Sequence, residues 1–126
     1  MYTALVLPSS ERKRLRQRVA QNIPEGWRIF CHHVTLNMGP ITKGKNIKSL
    51  LGHEIDFTVD AFGINDKVCA VRVSHIANGV CSMNKVPHVT VAVDQVNGGK
   101  PVMSNDLQMW VPIRNEIFSG IVTEVG

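Results

Sequence analysis

The chain has 126 residues, 44% hydrophobic and 19% charged, which is one domain's length and excludes a disordered polymer. Fourteen Lys and Arg stand against ten Asp and Glu, for a net charge of +4; residues 11–18 (ERKRLRQR) hold five cations and one anion, leaving nine against nine elsewhere. No segment approaches the ~20 apolar residues of a membrane helix, and Ala4 to Leu7 is shorter than the ~7–15 of a secretory h-region, so a cytoplasmic protein without membrane attachment is expected.

Taken in chain order, Tyr2 to Leu7 is short, apolar and closed by Pro8, and predicts a first strand. A helix follows, with Ser9 or Ser10 as its cap, Glu11 in the first turn, and Leu15, Val19 and Ile23 as a packing stripe before Pro24 and Gly26. Its outward faces carry Arg12, Lys13, Arg14, Arg16 and Arg18, either a solvated surface or a nucleic-acid contact. From Phe30 to Met38 the period becomes two: Phe30, Val34, Leu36 and Met38 alternate with Cys31, His33, Thr35 and Asn37. A Gly/Lys-rich loop from Gly39 to Gly52 follows; its Gly44-Lys45 and Lys48 lack the remaining residues of a phosphate-binding loop. Ile55, Phe57, Val59 and Ala61 mark a half-buried strand, Asn65-Asp66 a turn, and Lys67 to Ile76 the returning strand of a hairpin. After a break at Asn78-Gly79, Pro87 to Asp94 alternates Val89, Val91 and Val93 with His88, Thr90, Ala92 and Asp94. Residues 97–101 read as a loop, Ser104 to Asp106 as a short turn and Ile117 to Val125 as a closing strand.

One tripeptide recurs, His33-Val34-Thr35 and His88-Val89-Thr90, each followed by an aliphatic residue on a predicted strand. With five His and six Thr in the chain, two copies with the same centre are not expected by chance. On a strand, His and Thr at i and i+2 project from one face roughly 6.5–7 Å apart, while the valine between them enters the core. If the two strands are neighbours, two imidazoles and two hydroxyls converge. One neutral imidazole then takes a proton from a nucleophile, a cationic one gives a proton to a leaving oxygen, and the hydroxyls bind phosphate oxygens. Such chemistry needs no metal or other cofactor.

The paired motif resembles that of the 2H phosphoesterases, and the text around it (HHVTLNMG and PHVTVAVDQVNGGKPVMSND) is most similar to the cyclic phosphodiesterase domain of fungal and plant tRNA ligases. The resemblance spans nearly the whole chain and implies a single α+β domain over residues 1–126. Two pseudo-symmetric antiparallel β lobes would flank a central cleft, with one or two outer helices. It implies His33 and His88 as the acid/base pair, in either assignment, and Thr35 and Thr90 as phosphate-binding hydroxyls. The implied substrate is a 2′,3′-cyclic phosphate on an RNA end or a nucleotide. Cyclic oligonucleotide signals in an anti-defence role, and RNA binding without turnover, are the alternatives. Between the motifs no helix is expected, so a trimmed second lobe is.

Lys100, Ser104 and Asn105 follow the second motif and either reach over the cleft or form a plain surface loop. Tyr2, Trp27, Phe30 and Trp110 are the aromatics available for stacking; Tyr2 is the candidate for substrate contact and the others are expected in the core. His32 is expected on the Val34/Leu36 face as a packed or edge histidine, and Cys31 beside His33 as a bystander. Cysteines 31, 69 and 81 are an odd number without CxxC spacing, which suits free thiols in a reducing compartment. With His32, His33, His53 and His75 they also lack zinc-type spacing, so no metal site is expected.

Overall fold

A computed structural model describes residues 1–44 and 47–126; Lys45, in the excluded phosphate-loop reading, lies outside the described residues. Among the described residues there are seven strands: β1 (Tyr2–Val6), β2 (Arg28–Ile29), β3 (His33–Met38), β4 (Glu54–Ile64), β5 (Val68–Ile76), β6 (His88–Val93) and β7 (Trp110–Val125). All pair antiparallel in one sheet of order β2-β6-β3-β1-β7-β4-β5, and a further pairing of β5 with β6 closes it into a small barrel-like form. The α+β expectation is met with a single α-helix, α1 (Ser9–Val19), among the described residues. No helix among them is long and apolar enough to cross a membrane.

The closed sheet wraps one main core, in which Leu5, Val34, Leu36, Phe57, Val71, Val89, Val91 and Phe118 are almost fully buried. Helix α1 adds Leu15 and Val19, both 0% exposed, as its periodicity predicts. Its start differs from expectation. Pro8 holds the cap position, and its carbonyl accepts from the amides of Glu11 and Arg12 at 3.0 and 2.9 Å, so Ser9 and Ser10 are helical residues and cap nothing. The Glu11 carboxylate instead reaches β7, accepting from the Ser119 amide at 2.8 Å.

Two irregularities confine the alternation of the first histidine strand. Cys31 has φ of 48°, a left-handed conformation rare for a residue with a Cβ, and it separates β2 from β3. Cys31 therefore turns into the core at 1% exposure, and Phe30 takes the open side, the reverse of the predicted faces. Farther along, Thr3 pairs with Asn37 but Ala4 with Thr35, so Leu36 is an extra residue in β3. Beyond that bulge Asn37 turns inward (3% exposed) and Met38 outward (65% exposed), again opposite to expectation.

The closing strand is also longer than predicted. β7 starts at Trp110, not Ile117, because its first residues pair with the end of β4, Trp110 with Gly63 and Val111 with Phe62. Between β6 and β7 the chain forms a 3₁₀ turn, Pro101–Asp106. Leu107 and Met103 pin that turn against Val68, Ala70 and Val93 in a second small core, which lays it across β5 and β6. All three cysteines are free thiols, with Cys31 and Cys69 buried.

Candidate active site

Strands β3 and β6 are joined through one bridging pair, Val34 with Val89, the central residues of the two tripeptides. Both valines are 0% exposed, so in both strands the residues on either side face away from the core. The antiparallel register through that pair sets His33 across from Thr90 and Thr35 across from His88. All four line a cavity of about 670 Å³, within the range of small-molecule sites. Tyr2, Phe30, His32, Met38, Asn84 and the 3₁₀ turn, through Pro101, Val102 and Asn105, complete the described wall, and among the described residues it contains no Asp, Glu, Lys or Arg.

Each imidazole has a distinct partner. The His88 ring lies with Nδ1 2.8 Å from the Val86 carbonyl, so Nδ1 carries a proton donated to that oxygen and Nε2 is left for exchange. Burial lowers the His88 pKa from its ordinary value, and the carbonyl, by favouring the imidazolium, opposes that shift. His33 has its Nδ1 2.9 Å from Nδ1 of His32, with the rings edge to face. Burial, with the neighbouring His32 and His88, pushes the His33 pKa down to about 4. At neutral pH His33 is therefore an uncharged base. The Tyr2 ring stands 5.0 Å from the His33 ring, centroid to centroid.

His32 is the site residue that alternation misplaces. It lines the cavity instead of the Val34/Leu36 face, because the left-handed Cys31 suspends the two-residue period just before it. Phe30 is in the wall for the same reason and also packs against the second small core with Trp110, while Trp27 packs against the main core, so all three meet a core as expected. Asn84 has no signal in the sequence beyond lying in the break after Asn78-Gly79. Its loop is tied to β3 by the Ser82 hydroxyl, which donates to the Thr35 carbonyl at 2.6 Å and accepts from the Asn84 amide.

The loop after the second motif divides into three roles. Asn105 is in the cavity wall. Ser104 is 1% exposed, and its hydroxyl sits 2.8 Å from that of Thr90, so it contacts Thr90 beneath the surface instead of lining the cavity. Lys100 is exposed and outside the wall. His53 and His75 also lie outside the wall, and among the described residues no three His, Cys, Asp or Glu side chains cluster as metal ligands would.

A neutral base, a second imidazole held for proton exchange and two hydroxyls around one uncharged cleft can transfer protons at both ends of a phosphodiester bond. A family model of the fungal tRNA ligase phosphodiesterase domain matches residues 14–123, which include both tripeptides and the turn that follows them. No curated protein and no solved structure matches the chain.

Proposed function

Since this chain belongs to the fungal tRNA ligase phosphodiesterase domain family, we propose that it hydrolyses 2′,3′-cyclic phosphates by two-histidine acid/base catalysis. The family implies hydrolase activity on RNA; the two-histidine mechanism is our reading. The observation that carries it is the Val34–Val89 bridge, which holds a His-Val-Thr on each side of one cleft. That reciprocal placement also supports two pseudo-symmetric half-sites within one catalytic unit of residues 1–126. Free thiols, two of them buried, support a reducing compartment such as the cytoplasm.

In this mechanism His33 is the base and His88 the acid. His33, with its pKa of about 4, accepts the proton of an attacking water at Nε2 while His32 receives the Nδ1–H. The water oxygen bonds to phosphorus as the ring P–O bond breaks. The leaving ribose oxygen takes its proton from Nε2 of His88. The anionic substrate favours the imidazolium that His88 needs, and the Val86 carbonyl adds to that preference. Thr35 and Thr90 donate to the non-bridging phosphate oxygens; for Thr90 this requires that its hydroxyl proton leave the Pro101 carbonyl, 3.4 Å away, and that its oxygen accept from Ser104, which fixes the direction of that bond. Tyr2 and Asn105 contact the nucleoside. Solvent exchange returns both histidines to their starting states.

The test is a product assay on 2′,3′-cyclic mononucleotides, RNA with a cyclic-phosphate end and a cyclic dinucleotide, each at equal enzyme. Turnover of the first two is expected, with a loss of ~10²–10⁴-fold in His33→Ala and in His88→Ala. Unchanged turnover in either variant overturns the mechanism. Loss of activity in EDTA that zinc restores would assign the chemistry to a metal, and turnover of the cyclic dinucleotide alone would assign the site to signal degradation.

A further inference from the structure

The five cations of α1 do not act as one patch. Arg14 pairs with Glu11 at 2.8 Å and Glu116 at 2.6 Å, and Arg18 pairs with Glu116 at 3.3 Å. The Arg14 guanidinium also lies 4.0 Å from the centroid of the Phe118 ring. These two arginines fasten the helix to β7. Arg12, Lys13 and Arg16 make no ion pair among the described residues, and all three line a second concavity of about 290 Å³. No carboxylate is in its wall among the described residues. Phe30 lines this groove and the catalytic cleft alike. Arg12 stands at that junction, its guanidinium donating to the Phe30 carbonyl at 2.9 Å.

We propose that the groove of Arg12, Lys13 and Arg16 is a subsite for the backbone phosphates of an RNA strand whose cyclic-phosphate end occupies the cleft, the strand crossing at Phe30. The proposal rests on the phosphodiesterase reading for the end group and adds the substrate class: a single-stranded oligoribonucleotide in preference to a mononucleotide. Several features support it. Among the described residues the cleft wall contains no cation, whereas the groove beside it presents three. Phosphates take arginine and lysine irrespective of base, which suits a site that reads an end and not a sequence. Half-buried Phe30 presents an aromatic surface where successive bases pass.

The experiment compares 2′,3′-cyclic CMP with a ten-nucleotide single-stranded RNA ending in a 2′,3′-cyclic phosphate, for the wild type and Arg12→Gln/Lys13→Gln/Arg16→Gln. Binding of a 5′-fluorescein copy of the RNA is followed by anisotropy from 50 to 300 mM salt. Lys48→Gln/Lys67→Gln/Arg114→Gln, three cations outside both concavities, is the control for net charge. The wild type should favour the oligonucleotide in kcat/KM by at least tenfold at low salt. The triple variant should lose that preference and keep its cyclic CMP turnover within about twofold. Its slope of log Kd against log salt should be shallower by about 2, as ~0.7 per phosphate implies for three contacts on a single strand. An unchanged oligonucleotide preference or an unchanged slope in the triple variant overturns the subsite. If the wild type turns over neither substrate yet the salt slope falls as stated, the groove stands and the phosphodiesterase reading fails. Cyclic CMP turnover without any oligonucleotide preference has the opposite meaning.

Discussion

His33 has a companion at Nδ1 that is another imidazole, where a carboxylate or a carbonyl is the more familiar orienter. Burial is the chief cause of the low His33 pKa, and His32 has two further effects: it orients the His33 ring through Nδ1 and, as a neighbouring imidazole, resists a second proton. His32→Ala removes both effects. The expected result is a fall in kcat on the order of tenfold, smaller than the loss of a carboxylate orienter, and a shift of the acidic limb of kcat/KM to higher pH. His32→Asn keeps an acceptor and should recover most of kcat. A pH–rate profile from pH 4 to 8 reads both quantities, and a limb and rate unmoved in His32→Ala would remove His32 from the mechanism. The two tripeptides were legible in the sequence because period two holds from His33 to Leu36 and again from His88 to Val91; beyond it Ala92 enters the main core and Val93 the second, opposite to the expected alternation. His32 and Phe30 were not legible. A left-handed cysteine leaves no mark in a hydrophobicity pattern, since Cys is not one of the residues that signal a turn.

Among the elements, α1 was read correctly in packing face; it ends at Val19 and gives way to a 3₁₀ turn over Ala20–Asn22 where the stripe to Ile23 predicts further helix, and its cap and charges also needed the structure. Its periodicity states that Leu15 and Val19 go inward, but not that Arg14 and Arg18 meet Glu116, about a hundred residues away in the chain. β7 shows the same limit. Its first residues, Trp-Val-Pro-Ile-Arg, do not alternate cleanly, and they are a strand only because β4 extends to Ile64 and offers an edge. The helix therefore depends on tertiary contacts for its stability, as an eleven-residue segment must. Leu15→Ala should cost about 2–5 kcal/mol, measured by urea unfolding at pH 7.5, because Leu15 is fully buried in the main core. Arg16→Ala, on the open face, should stay within about 0.5 kcal/mol. A loss below about 1 kcal/mol for Leu15→Ala would mean that α1 contributes little to the fold and that the groove beside it lacks a rigid wall.

Over the whole molecule, charge and chemistry occupy separate places: cations on α1, and partly buried imidazoles in a cleft that holds no Asp, Glu, Lys or Arg among the described residues. The fold thus holds His32, His33 and His88 in surroundings that disfavour their protonation, and this has a consequence for stability as well as rate. Each of these groups has a folded-state pKa below the ordinary 6.5, so between those values the unfolded chain binds more protons than the folded one. Stability from this source is fully present above pH 6.5 and is lost as pH falls through the folded values, to about 4 for His33. The Glu11 carboxyl, held down chiefly by its hydrogen bonds from Arg14, acts in the same direction but only below its ordinary 4.5. Histidine and carboxylate contributions therefore separate between pH 5 and 6.5. Urea midpoints should rise across that interval in the wild type, and His33→Gln, which cannot be protonated, should flatten the rise while leaving the loss below pH 4.5 in place. A midpoint independent of pH from 5 to 6.5 would show that the histidines titrate as they do in the unfolded chain, and the neutral base assigned to His33 would then have to be abandoned.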